Sequence, residues 1–226
     1  MHVLVPAKSF AAAKSRLAAV MDAAARAGLA RAMLRDVLAA VAAARGVGRI
    51  LLVSAEPEAG RLAAAAGADW LPECTSLGMN AAVRAGAAHL STAGQAPLLV
   101  LPSDIPMLQA AEVEALAAIL AAPPRRAGLV RCADGGTGAL GLPPGAGPLF
   151  RFGPDSHARH RQALLAAGLG PVSLDLPGAA RDIDLPADLA ALETGPAGPA
   201  TRAFLDGGGL RPAAAAAVPQ LAAGTR

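Results

Sequence analysis

Short apolar runs alternate with longer amphipathic segments over residues 1–132, and this alternation limits the possible fold more than any other feature of the chain. Five strands are predicted, from apolar runs at 3–5, 50–53, 68–71, 97–101 and 129–132. Helices are predicted between them, at 22–45, 57–66, 77–90 and 111–120. Strands and helices that alternate in this way favour a mostly parallel sheet with helices on both faces. We therefore expect a single α/β domain with three layers.

The second half of the chain departs from the alternation. Gly and Pro become dense over 133–154, which predicts strands and loops laid over one end of the sheet, on the substrate side. A helix at 156–167, a strand at 172–176 and a short helix from Pro186 follow. Residues 194–226 are mostly Gly, Pro, Ala and Thr, so we expect a domain at 1–193 and a flexible tail at 194–226. A short docking segment around Phe204 and Leu205 is the alternative.

Composition excludes several classes of protein. The chain has 226 residues, a net charge of only +3 and 2% aromatic residues, so it offers no basic stripe or stacking platform for nucleic acid. It has no apolar run long enough to span a membrane and no signal peptide, which predicts a cytoplasmic protein that does not bind membranes. Cys74 and Cys132 are far apart, as expected for small buried residues in a reducing compartment. The sequence leaves the oligomeric state open, with a homodimer as one alternative.

Three cations follow the first predicted strand. Lys8, Lys14 and Arg16 come directly after the apolar run that ends at Pro6. Loops at the carboxyl ends of parallel strands bind ligands in α/β sheets. Such a cluster requires an anion, and a nucleoside triphosphate is the most common anion of that size.

Carboxylates follow two other predicted strands. Asp104 comes just after the buried run 97–101, where it could bind Mg²⁺ or substrate, or could only cap the next helix. Asp182 and Asp184 are two residues apart, so in an extended segment their side chains point the same way. They could share a cation, or could lie in a solvated loop. Convergence of both acidic segments on one metal is the stronger interpretation.

Glycine-rich segments supply candidate sites for anions. Gly78 opens a predicted helix, and Asn80 could contact a purine edge, although a plain helix cap is equally compatible. The segments 134–138 and 152–156 could hold a small anion through backbone N–H groups, Thr137 and Ser156, or could be tight turns.

Histidine and arginine alternate in the helix that follows. His157 and His160 are three residues apart, with Arg159 and Arg161 between and beyond them. No third metal ligand is evident nearby, so we expect a solvated or phosphate-facing basic edge rather than a metal site.

Seven segments together resemble one family, the 2-phospho-L-lactate guanylyltransferases of coenzyme F-420 biosynthesis, whose bacterial members include phosphoenolpyruvate and 3-phosphoglycerate guanylyltransferases. The resemblance covers residues 1 to about 193. The segments are VPAKSFAAAKSRL, ARAMLRDVL, LGMNAAV, LPSDIPML, DGGTGAL, FGPDSHARH and RDIDLPADL.

The resemblance implies a Rossmann-like, GT-A-type nucleotidyltransferase domain and a reaction. The phosphate of a small phospho-acid attacks the α-phosphorus of GTP, and pyrophosphate leaves. It also implies roles for particular residues. Asp104, Asp182 and Asp184 correspond to the Mg²⁺ and substrate carboxylates, and with Lys14 they form the catalytic set. The implied GTP site contains Lys8, Lys14, Arg16, Gly78 and Asn80, and the implied acid pocket contains Thr137, Gly153 and Ser156.

Two segments depart from the family pattern. Gly138 stands where Asn is expected, and Asp155 and His157 stand where Gly and Phe are usual. Three other functions remain alternatives: another nucleotidyltransferase such as one acting on molybdopterin, a GT-A glycosyltransferase using Asp182 and Asp184, and a non-catalytic nucleotide-binding module. The guanylyltransferase hypothesis and the first alternative both predict release of pyrophosphate, whereas the glycosyltransferase and the binding module do not.

Overall fold

The computed structural model describes residues 1–73, 78–92, 94–123 and 125–210 as seven strands and seven α-helices. The predictions for Cys74, for a helix start at Leu77 and for the tail at 211–226 lie outside these residues. The strands are β1 (His2–Pro6), β2 (Ile50–Ser54), β3 (Asp69–Pro72), β4 (Leu98–Val100), β5 (Arg126–Arg131), β6 (Thr137–Leu142) and β7 (Gly170–Ser173). The helices are α1 (Ala23–Ala43), α2 (Pro57–Ala65), α3 (Met79–Ser91), α4 (Ala110–Ala121), α5 (Ser156–Ala166), α6 (Pro186–Thr194) and α7 (Pro199–Asp206).

The sheet lies between two layers of helices, which confirms the predicted three-layer α/β architecture. Alternate residues of the central strands belong to opposite faces. Val3 and Leu52 pack in a core with α1, α2 and α4, whereas Leu4 and Leu51 pack in a core with α3 and α5. Burial on both faces explains why these strands are uninterrupted apolar runs in the sequence. In the described part of the chain, no helix combines the length and apolar character that a membrane crossing needs.

The strand order is β3-β2-β1-β4-β6-β5-β7, and the order changes direction between β1 and β4. β1 pairs in parallel with β2 and β4, so the loops after β1 and β4 leave the same edge of the sheet side by side. This is the position at which doubly wound sheets bind ligands. The topology therefore brings the early cations and Asp104 to one crevice.

β6 differs from the sequence prediction, which laid residues 133–154 over one end of the sheet. Instead β6 lies inside the sheet, antiparallel to both β4 and β5. A tight turn reverses the chain after β5, closed by bonds from the Cys132 N–H to the Gly136 carbonyl (3.1 Å) and from the Gly135 N–H to the Cys132 carbonyl (3.1 Å). β6 is buried along its whole length, although its small residues give little strand signal.

The C-terminal segment also differs from its prediction. Residues 199–206, expected to belong to a flexible tail, form α7, which packs along α1. Phe204 and Leu205 join a cluster with Leu29 and Met33 of α1, as the docking alternative proposed. The close approach uses Gly28, where an added Cβ would lie 2.5 Å from the Phe204 ring. The domain therefore extends at least to residue 206, because these contacts bury apolar surface that composition alone does not reveal.

Replacing Phe204 tests this correction. We expect Phe204→Ala to lower the free energy of unfolding by about 2 kcal/mol, since the half-buried ring fills the gap above Gly28. Urea denaturation measures the change. Leu165→Ala, at a side chain that is 50% exposed on α5, is the control and should change the free energy by less than about 0.5 kcal/mol. Equal effects of the two substitutions would contradict the packing of α7.

Candidate active site

A buried ammonium group joins the two acidic segments. Lys14 Nζ lies 2.5 Å from Asp104 Oδ2 and 2.7 Å from Asp184 Oδ1. Its side chain is only 6% exposed, whereas those of Asp104 and Asp184 are 26% and 39% exposed. Arg16 approaches the second oxygen of Asp184 at 3.6 Å and reaches into solvent. Two of the early cations, Lys14 and Arg16, thus lie beside the acidic segments.

The local backbone conformation positions the side chains of Lys14, Asp104 and Asp184. Lys14 adopts a left-handed conformation (φ 55°) between two short 3₁₀ turns, which directs its side chain under the carboxylates. Ile183 is fully buried and its N–H donates to the Asp104 carbonyl at 3.1 Å, so the two acidic segments are joined through their backbones. Asp188 of α6 accepts bonds from the N–H groups of Asp184 (3.0 Å) and Leu185 (2.7 Å). The turn carrying Asp184 is therefore fixed from both sides.

Asp104 does not cap the next helix. Gln109 and Glu112 form a capping box at the start of α4, which satisfies the N–H groups that Asp104 could have taken. The carboxylate of Asp104 instead bonds Lys14.

The pKa values of Asp182 and Asp184 are shifted in opposite directions. Burial raises the pKa of Asp182 to about 6, with further contributions from Asp104, Asp184 and Asp134. Burial acts in the same direction on Asp184, but Lys14 outweighs it, so the pKa of Asp184 is lowered. Burial disfavours the charged form of Lys14, yet its two carboxylate partners raise its pKa overall. Asp184 and Lys14 thus favour each other's charged form, whereas no salt bridge joins Asp182 to a cation within the described ranges.

Cys132 and Asp134 are part of the site, which the sequence analysis did not anticipate. Ligand atoms of Cys132, Asp134 and Asp182 all lie within 4.8 Å of one another. Cys132 is buried as predicted, and burial together with Asp182 and Asp134 raises the pKa of its thiol. The turn that places β6 antiparallel to β5 brings these residues to the crevice. Only knowledge of that hairpin could have identified them.

A cleft of about 840 Å³ opens over these groups. Its walls come from the segments at 131–134 and 177–188, together with Arg16. Arg131 and Arg181 add positive charge to a cleft that also contains Asp134, Asp182 and Asp184. Such a mixed lining suits an anionic ligand bound together with a cation.

Two glycines allow the segment at 177–181 to pack tightly beside the cleft. A Cβ on Gly138 would lie 1.9 Å from the Ala179 carbonyl oxygen, and one on Gly178 would lie 2.3 Å from the Met107 carbonyl oxygen. The Gly178 N–H donates to Glu112 at 2.8 Å. Gly138 stands where the resemblance led us to expect Asn, and here no side chain fits.

The predicted acid-pocket residues form a buried hydrogen-bond chain. Thr137 Oγ1 lies 3.0 Å from Ser156 Oγ and 2.9 Å from His160 Nδ1, and His160 Nε2 accepts a bond from the Arg151 N–H at 2.8 Å. Thr137, Ser156 and His160 are all buried. The two hydroxyls therefore already have partners, and they support the loop that contains Gly153.

The prediction of a basic edge is wrong for His160. Burial, followed by the charges of Arg159, Arg151 and His157, lowers its pKa to about 4, so the ring is neutral at pH 7. Burial and Arg131 also lower the pKa of His157. For both histidines burial is the larger cause and the neighbouring arginines add to it, so the neutral form of each ring is favoured.

The role predicted for Asn80 also differs. Its amide exchanges two hydrogen bonds with the backbone of Phe152, donating to the carbonyl and accepting from the N–H, each at 2.9 Å. Asn80 therefore ties α3 to the 150–153 loop through one donor and one acceptor position of its amide. Gly78, with φ 85°, begins α3 without a side-chain cap, and Lys8 is exposed beyond β1.

The seven-stranded sheet between two helical layers is a Rossmann-like α/β fold, which solved structures share. A nucleotide-diphospho-sugar transferase from Desulfovibrio desulfuricans G20 shares this fold, with a TM-score of 0.72 at 19% identity over 92% of this chain and 95% of that one. CMP:2-keto-3-deoxy-manno-octonic acid synthetase shares it at a TM-score of 0.55 and 13% identity, over 91% of this chain and 98% of that one.

Sequence comparison then gives the family. Residues 1–206 match the family described as guanylyl transferase CofC like, and the chain belongs to that family. It is 42% identical to a phosphoenolpyruvate guanylyltransferase of Rubrobacter xylanophilus, over 85% of this chain and 93% of that protein. It is 41% identical to a 3-phospho-D-glycerate guanylyltransferase of Phenylobacterium zucineum, over 85% of this chain and 89% of that protein. The match to residue 206 agrees with the inclusion of α7 in the domain.

The buried histidine predicts a pH dependence of stability. Because the pKa of His160 is about 4 in the folded chain and about 6.5 when unfolded, its contribution is complete above pH 6.5 and is lost as the pH falls towards 4. The loss should approach about 3 kcal/mol. Denaturation curves from pH 7 to 4 should show a shallower decline for His160→Gln, whose amide gains no proton. Parallel pH profiles for the two proteins would rule out this assignment.

Crowding at Gly138 can be tested by adding one methyl group. Gly138→Ala forces the 177–181 segment away from β6, and we expect a loss of about 2 kcal/mol in unfolding free energy. Gly170→Ala on β7 is the matched control, since its added Cβ would meet nothing within 4 Å. Chemical denaturation of both variants gives the comparison, and an equally small loss in each would refute the close contact.

Proposed function

We propose that this protein transfers GMP from GTP to the phosphate of a small phospho-acid and releases pyrophosphate, in the biosynthesis of coenzyme F-420. The arrangement of Lys14 between Asp104 and Asp184, at one edge of a nucleotidyltransferase sheet, is the observation that carries the proposal. Membership of the guanylyl transferase CofC like family supports it. We place the reaction in the cytoplasm.

The proposed GTP site lies along the loops after β1 and before α3. Lys8, Lys14 and Arg16 would offset the charge of the triphosphate, and the exposed positions of Lys8 and Arg16 leave both side chains able to reach it. Gly78 would let the nucleotide approach the backbone at the start of α3. We assign Asn80 a positioning role beside the nucleotide, because its amide exchanges two hydrogen bonds with the backbone of Phe152.

The acidic residues fit a divalent cation. Asp104, Asp182 and Asp184 would hold Mg²⁺, since they supply hard oxygen donors and no cation of the described residues forms a salt bridge with Asp182. When bound, Mg²⁺ would supply the neutralisation of charge that two polyanionic substrates require. The thiol of Cys132, whose pKa is raised, stays protonated beside these carboxylates and is not assigned as a ligand.

The proposed reaction needs alignment more than proton transfer. An oxygen of the acceptor phosphate attacks the α-phosphorus of GTP, the bond to the bridging oxygen breaks, and its electron pair leaves with pyrophosphate. The attacking phosphate is already ionised at neutral pH, so no general base is required. Lys14 contributes a positive charge fixed by two carboxylates, and it orients them without reorganising during the reaction.

The acceptor pocket is proposed beside the turns at 134–138 and 153–156. Thr137 and Ser156 would support the wall of this pocket, since their hydroxyls bond each other and that of Thr137 also bonds His160. Gly153 (φ 124°) would expose its backbone to the acid. The acid is proposed to have three carbons. Relatives named for phosphoenolpyruvate and for 3-phospho-D-glycerate resemble this chain to nearly the same degree, 42% and 41%.

A pyrophosphate-release screen tests the function. Phosphoenolpyruvate, 2-phospho-L-lactate and 3-phospho-D-glycerate should each be combined with GTP, ATP, CTP and UTP in the presence of Mg²⁺. We expect release with GTP and at least one acid, loss of release with EDTA, and a guanylylated diphosphate diester identified by mass spectrometry. The proposal fails if GTP yields no pyrophosphate with any of these acids.

Removing single charges tests the catalytic set. Asp104→Asn and Asp184→Asn should each lower kcat at least about a hundredfold, since charge stabilisation by a bound metal contributes several kcal/mol. Asp69→Asn is the control, because that carboxylate pairs with Arg49 at the other end of the sheet and its side chain is 54% exposed. Near-normal turnover of both site variants would make these carboxylates structural.

A further inference from the structure

The apolar cluster beneath the site links the candidate catalytic residues to α7. Leu17 adjoins Arg16, Met107 follows the Asp104 loop, and Ile183 separates Asp182 from Asp184. All three side chains are buried in one cluster with residues of α1, and Phe204 and Leu205 of α7 pack against it. A shift of α7 therefore bears on the two acidic segments, which contribute Met107 and Ile183 to this cluster.

A backbone hydrogen bond makes a second link. The Gly198 N–H, just before α7, donates to the Pro106 carbonyl at 2.8 Å, two residues beyond Asp104. On its other side the Asp104 segment accepts the bond from Ile183. The Asp104 loop thus lies between the 182–184 segment and the start of α7, bonded to each.

Asp36 in the middle of α1 holds the start of α7. Its carboxylate accepts bonds from the N–H groups of Ala200 and Thr201, each at 2.8 Å, and it is 5% exposed. α7 has no side-chain cap of its own, so Asp36 supplies the cap and complements the positive end of the helix. Gly198 packs so closely against Asp36 that an added Cβ would lie 2.3 Å from the carboxyl carbon.

We propose that Asp36 is a positioning residue for the catalytic carboxylates, acting through α7 and the Gly198–Pro106 bond on the placement of Asp104. The effect on catalysis rests on the function proposed above. Asp36 is separated from the cleft by the apolar cluster and does not line it. It therefore sets geometry and does not take part in the reaction.

Asp36→Asn keeps the shape of the side chain but leaves one oxygen to cap two N–H groups. We expect kcat to fall between about tenfold and a hundredfold, because small displacements of reacting groups have large effects on rate. Half-saturating Mg²⁺ should rise, while KM for GTP should change by less than about threefold, since Lys8, Arg16 and Gly78 are untouched. Val41→Ala, a buried position near the far end of α1, is the control for lost stability and should leave kcat within about twofold at temperatures where it is folded.

Amide hydrogen exchange supplies a readout that does not depend on activity. In Asp36→Asn, exchange should accelerate at Ala200 and Thr201 and also at Ile183, whose N–H reports on the bond to Asp104. Acceleration confined to residues 200 and 201, with unchanged kcat, would overturn the proposal and make α7 only a stabilising element. Should Asp36→Asn fail to fold, Phe204→Leu loosens the other end of α7 and takes its place. Faster exchange at Ile183 with a lower kcat would then support the proposal, and unchanged exchange there with unchanged kcat would overturn it.

The two proposals fail in different ways. Absence of pyrophosphate release by the wild-type protein with every acid would remove the proposed function. Exchange at Ile183 would still show whether Asp36 controls the placement of the Asp104 loop. Full activity of Asp36→Asn in an enzyme that releases pyrophosphate would remove only the positioning role.

Discussion

The contact of one ammonium group with two carboxylates organises the functional end of this molecule. Lys14, Asp104 and Asp184 come from three distant parts of the chain, and each would be unfavourable to bury without the others. Their mutual neutralisation allows the loops after β1 and β4 to meet the 182–184 segment at a single point. Asp182 lies beside this cluster, and burial raises its pKa, with further contributions from Asp104, Asp184 and Asp134.

The sequence was sufficient for the parts of this design that depend on local pattern. Apolar runs predicted β1, β2 and β4, because strands buried on both faces have no polar interruptions. The rule that ligands gather at the carboxyl ends of parallel strands then placed Lys14 near Asp104. Asp184 was predicted to lie with them because two acidic segments in one domain can share a cation.

Other parts could not be read from local pattern. β6 contains mainly Gly, Ala and Leu, so its insertion between β4 and β5, which brings Cys132 and Asp134 to the cleft, depends on pairing over distance. The same holds for Asn80, whose amide finds its partner 72 residues away. α7 looked unstructured because its composition is poor in apolar residues, yet Asp36 caps it from 164 residues away. In the sequence, only the position of Asp36 between the apolar residues of ARAMLRDVL indicated that interaction.

The absence of a side chain at residue 138 has a consequence for sequence change in this protein. The carbonyl of Ala179 occupies the space where a larger residue would project from β6. An asparagine there, as the family pattern would have it, requires a different path for the backbone around Gly178 and Ala179. A larger residue at 138 can therefore be accommodated in this protein only if the facing 177–181 loop is changed along with it.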